Sequence, residues 1–106
     1  MYRVMVDDNY HYMDESERYE LGAYATVEAA VAAAQAVVEA FLLSARRPGM
    51  TAEALYAQYV AFGEDPFIIG PVGEAVTFSA WDYARARCED LYPPAPFPGA
   101  GKGVPE

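Results

Sequence analysis

Apolar and polar residues alternate in steps of two at the start of this chain and in steps of three and four afterwards, and the change of period predicts the elements. Tyr2, Val4 and Val6 alternate with Arg3 and Met5, and Tyr19, Leu21, Ala23 and Ala25 alternate with Glu20, Gly22 and Tyr24. This is the mark of strands with one buried face. The two strands are expected to pair as a hairpin. Their connection, Asp7 to Arg18, is far longer than a tight turn needs, and Tyr10 and Tyr12 continue the alternation, so part of it is expected to extend the ladder.

Thr26 is placed to cap a helix, with Glu28 near the positive end of its dipole. Val27, Val31, Ala34, Val38, Phe41 and Ala45 then recur at helical spacing, widened by Ala30, Val37 and Leu42. Ala32, Ala36 and Ala40 make another face smooth, which either promotes the helix alone or permits close approach of a second helix. Arg46, Arg47 and Pro48 close the helix. Thr51 predicts the next cap, Leu55, Tyr59 and Phe62 its buried stripe, and Gly63 a left-handed end. Glu64-Asp65-Pro66 reads as a turn into a strand at Phe67-Ile68-Ile69. Gly70-Pro71-Val72-Gly73 then predicts a reversal before Ala75-Val76-Thr77-Phe78. Ser79-Ala80-Trp81-Asp82 is a capping box, opening a helix with Trp81, Ala84, Cys88 and Leu91 inward and Arg85 one turn from Glu89. The expected fold is α+β: a two-layer sandwich, order ββααββα, with an antiparallel sheet of two hairpins and three helices covering one face. Residues 1–92 form the single domain. The proline- and glycine-rich stretch 93–106 reads as a flexible tail, and its Pro93 and Pro96 satisfy a P-x-x-P spacing.

Charge narrows the partners. The 106 residues carry a formal net charge of -9, which opposes binding to a phosphate backbone or an anionic bilayer and suits either plain solubility or a basic partner. Neither nucleic acid nor membrane is expected as a partner. The start of the chain reaches Asp7 and Asp8 before a signal-peptide core can develop, and no apolar run reads as membrane-spanning, so a cytoplasmic location is expected. Cys88 is the single cysteine, which leaves no intrachain disulfide and no multi-cysteine zinc pattern.

The candidate chemistry lies in Asp7-Asp8-Asn9-Tyr10-His11-Tyr12-Met13-Asp14-Glu15, where the single histidine stands between two tyrosines and acidic pairs. Its oxygen donors suit a hard cation, but an EF-hand counted from Asp7 would need glycine where Tyr12 stands and an acid where Arg18 stands. His11 suits acid-base work near neutral pH, although neither Ser16 nor Cys88 reads as a nucleophile beside it. Asp8, Tyr10, His11, Tyr12, Asp14 and Glu15 also form an aromatic patch with an acidic rim, to which Tyr19 adds, fitted to a protein partner. Against all three stands a structural role, with the tyrosines over a sheet edge and the acids solvated. Glu64 and Asp65 gain interest only if folding carries them beside this loop.

The strings Val6-Asp7-Asp8-Asn9-Tyr10-His11-Tyr12-Met13-Asp14-Glu15, Pro48-Gly49-Met50-Thr51-Ala52-Glu53, Phe62-Gly63-Glu64-Asp65-Pro66-Phe67 and Phe78-Ser79-Ala80-Trp81-Asp82-Tyr83-Ala84 resemble those of a family of small uncharacterised bacterial proteins. The resemblance runs to about Tyr92 and implies a bacterial, soluble, single-domain protein, with no activity or site residue attached. The reading that follows is a small, acidic, non-enzymatic binding or regulatory protein without a cofactor, whose partner is another protein or a second copy through the alanine-rich helix face. The rival is a small metal-assisted or general-base enzyme centred on His11 and the neighbouring carboxylates.

Overall fold

A computed structural model describes residues 1–11 and 15–93, His11 and Glu15 in their backbone alone. The expected tail from Pro94 onward lies outside the described residues. Strands β1 (Tyr2–Asp8), β2 (Tyr19–Tyr24), β3 (Glu64–Ile69) and β4 (Ala75–Val76) alternate in sequence with helices α1 (Val27–Ala45), α2 (Ala52–Phe62) and α3 (Ala80–Leu91) in the order ββααββα. The sheet is antiparallel, in the order β2-β1-β3-β4. The expected α+β architecture is therefore the observed one.

Helix boundaries follow the chemistry of their caps. The hydroxyls of Thr26, Thr51 and Ser79 accept from the backbone N–H groups of Ala29, Ala54 and Asp82, each at 3.1 Å. Each satisfies a donor that a helix start leaves free. α1 lies across the sheet with Ala30 and Ala34 against Val4 and Ile68. Further along α1, Val38 and Leu42 join Leu55 and Tyr59 of α2 and Ala80, Ala84 and Cys88 of α3 in a second buried cluster. Small residues on α1 and α3 allow the helices to lie close, while Leu42, Leu55 and Tyr59 fill the space between them. α1 is also 19 residues long with mean hydropathy 1.6, long and apolar enough to cross a membrane. That corrects the expectation that no run approaches such a length. In this fold α1 is the helix that buries the sheet's inner face.

Several local readings are corrected. A bulge between Val4 and Met5 leaves Gly22 opposite Val4 but Glu20 opposite Met5. The extra residue, Leu21, is 40% exposed and reverses the expected alternation, so that Tyr24 rather than Ala23 packs on the inner cluster. Glu64-Asp65-Pro66 is part of β3 and not a turn. Pro66 is tolerated there because β4 pairs with β3 at Ile68 and Ile69, so that no described strand needs an N–H from the proline on the side away from β1. β4 stops at Val76, short of the expected Phe78. Gly63 is extended (φ −80°, ψ −172°) rather than left-handed. Its requirement is space, since a Cβ there would stand 2.5 Å from the Tyr59 ring. Arg85 lies over the Tyr56 ring, 4.4 Å from its centroid, and the ion pair α3 makes with its neighbour is Arg87 to Glu39 of α1, at 2.6 Å.

Candidate functional site

The register of β1 against β3 brings the two acidic segments together. Asp7 pairs with Asp65 and Asp8 with Glu64, so the Asp7–Glu15 region and Glu64–Phe67 share one end of the sheet. Beyond Asp8 the ladder ends in a 3-10 turn, Asn9–His11, which corrects the expectation that Tyr10 extends the strand. Asn9 anchors the turn. Its backbone N–H donates to the Gly63 carbonyl at 3.0 Å, and its Nδ2 donates to the Tyr59 carbonyl at 2.9 Å. The Asn9 side chain is buried, and its Oδ1 has no partner among the described residues. The fully buried Tyr59 donates its hydroxyl to the Glu64 carbonyl at 2.6 Å. Burial and the charge of Asp65 hold that hydroxyl protonated.

Anchored this way, the turn projects Tyr10 outward. Its N–H donates to Asp8 Oδ1 at 2.9 Å, and its ring stacks on Phe62, with centroids 5.6 Å apart and planes 23° apart. Both rings face solvent, Tyr10 at 65% and Phe62 at 54% exposure. Phe62 is thus not the core residue its spacing on α2 predicted. It ends the helix on the side away from the core, where its ring meets the turn.

The carboxylates around this pair are held differently from one another. Arg18 forms a two-pronged contact with Asp7, at 2.6 and 3.1 Å, and lies 5.0 Å over the Phe67 ring. Tyr19 donates to Glu64 at 2.9 Å. Burial, that hydrogen bond and the Glu64 charge push the Tyr19 hydroxyl up to about 12. Asp65 is raised from the usual carboxylate range by burial and by Asp7. Among the described residues no three His, Cys, Asp or Glu side chains are placed to hold a metal ion together.

Of the expected site residues, Asp8 and Tyr10 are therefore brought together with Glu64. The side chains of His11 and Glu15, and the whole of Tyr12 and Asp14, lie outside the described residues. Phe62 and Asn9 are additions. Phe62 was hidden by its fit to the helical stripe, and Asn9 had the signal of a turn-forming residue directly after a strand. Cys88 is buried in the helical cluster, and burial pushes its thiol up to about 11, so it is protonated and unreactive near neutral pH. A separate groove of about 820 Å³ lies between the start of α2 and the end of α3, lined by Met50, Tyr56, Leu91 and Tyr92 together with the charged Glu53, Arg85 and Glu89. No family model, curated protein or solved structure matches the chain.

Proposed function

We propose that this chain is a binding protein that receives a basic segment of another protein on the surface made by Tyr10, Phe62, Asp8 and Glu64. The observation that carries the reading is the stacked pair of exposed rings. An aromatic pair of this kind gains about 0.5–1.5 kcal/mol from its geometry, yet leaves most of its apolar surface in water, where a partner side chain would cover it. The surrounding acids and the net charge of -9 favour lysine and arginine on that partner. Two hydrogen bonds from Asn9 fix the turn, so little conformational freedom is lost on binding.

Selection of random peptides against the immobilised chain tests this. Peptides pairing Lys or Arg with an aromatic or leucine residue are expected to be enriched, and to weaken as salt is raised. The double variant Tyr10→Ala, Phe62→Ala, which removes only exposed rings, is expected to stay folded and lose them. Enrichment of peptides without basic residues, or equal binding by the double variant, refutes the proposal.

A further inference from the structure

From the outer face of the sheet we infer that two copies of this chain associate sheet to sheet, about a two-fold axis lying between the sheets and crossing the strands at Met5 and Phe67. Val4, Val6, Pro66 and Ile68 point to the helices and are fully buried. Their neighbours along each strand must therefore point the other way. The pairing register sets these outward residues in rows: Ala23, Arg3, Ile69 and Ala75 in the first, Glu20, Met5 and Phe67 in the second, Asp7 and Asp65 in the third. An apolar stripe of Met5, Phe67 and Ile69 thus runs down a face opposite to the one the helices cover.

Charge selects both the occupant and its orientation. The face carries Arg3 and Arg18 against Glu20, Asp7 and Asp65, nearly balanced on a chain of net charge -9, so a second copy meets little repulsion there. The charges are also segregated. Arg3 stands in the first row, held to Glu20 at 3.0 Å, and the third row holds Asp65 beside Asp7, of which Asp7 is matched by Arg18, so the first row is net positive and the third net negative. An axis crossing the strands at the middle row lays the first row of one copy over the third row of the other. Each Arg3 then faces the partner's aspartate end, twice by symmetry, while the Met5–Phe67 rows meet at the centre. An axis running along the strands would instead lay like on like, Arg3 over Arg3 and Asp65 over Asp65, which charge repulsion disfavours. Facing sheets of this kind pack about 10 Å apart with their strands about 30° from parallel. The interface lies on the sheet and not on the alanine-rich face of α1, and it leaves the Tyr10–Phe62 surface free.

Sedimentation equilibrium across a wide dilution series, with circular dichroism to check the fold, tests the inference. The full chain is expected to show a monomer–dimer equilibrium. Arg3→Glu is expected to weaken it at least about tenfold, and Arg3→Glu combined with Asp65→Arg to regain most of the loss. A short bis-maleimide is expected to link Met5→Cys to itself but not Ala36→Cys, with Cys88 silent because it is buried. A monomer at every concentration, an association that Arg3→Glu leaves unchanged, or linkage through Ala36→Cys in preference to Met5→Cys overturns it.

Discussion

Replacing Gly63 by alanine tests the anchor of the candidate site. The backbone there is extended, so alanine meets no conformational penalty, and the smaller entropy of its unfolded chain favours the variant by about 0.4–1 kcal/mol. Sterics oppose this. The new methyl carbon would stand 2.5 Å from Tyr59 Cδ1 and 2.8 Å from the Tyr59 carbonyl oxygen. Neither atom is free to retreat: the ring is fully buried, and the carbonyl accepts from Gly63 N–H at 2.8 Å and from Asn9 Nδ2 at 2.9 Å. Overpacking costs about 1–3 kcal/mol, and a contact this close on a buried ring belongs to the upper part of that range, about 2–3 kcal/mol, so the net loss is expected to be about 1–2.5 kcal/mol. For a domain of this size that lowers the melting temperature by about 5–15 °C. Urea unfolding should show the midpoint moving down with an unchanged slope. An unchanged or raised midpoint would refute the claim that contact with Tyr59, and not backbone conformation, requires glycine at this position.

Asp65→Asn should stabilise the dilute monomer near neutral pH. The raised carboxyl favours folding when protonated, a contribution present below the unfolded-state pKa and lost as pH rises through the raised folded value; a variant-to-wild-type difference that persists unchanged into acid would contradict this. Arg87→Ala should cost about 1 kcal/mol in chemical denaturation, because the half-buried fork to Glu39 ties α3 to α1, and Arg87→Lys should recover less than half of it. Cys88 should resist thiol reagents in the native protein at about pH 8 and react fully in denaturant; rapid native labelling would place it outside the core.

The helix starts were readable because a cap is a local event: Thr26, Thr51 and Ser79 each accept from a donor three residues ahead, whatever the rest of the chain does. The inner faces of β1 and α1 were readable for a similar reason, since Val4, Val6, Ala30, Ala34 and Val38 follow their periods without interruption. What escaped depends on residues far apart in sequence. The bulge at Leu21 is settled by pairing with β1. Gly63 is settled by a ring on the preceding helical turn, and Phe62 by a turn more than fifty positions earlier. Arg87 finds Glu39 across 48 positions as well as Asp90 three positions on. Within the candidate site, sequence located the acidic and aromatic segment, while the union of Asp8 with Glu64 required the β1–β3 register.

The proline in β3 bears on how this molecule survives at high concentration. Because β4 is so brief, no described strand pairs along the far side of β3 from Glu64 to Phe67, where the Tyr59 hydroxyl donates to the Glu64 carbonyl, and strand flanks open to pairing are where fibrils seed. At Pro66 that flank has no amide hydrogen to offer an incoming strand, and Glu64 and Asp65 add charge beside the gap. Pro66→Thr should therefore leave the native ladder with β1 intact yet shorten the lag before aggregation, making an imino acid in mid-strand a guard for an incomplete sheet.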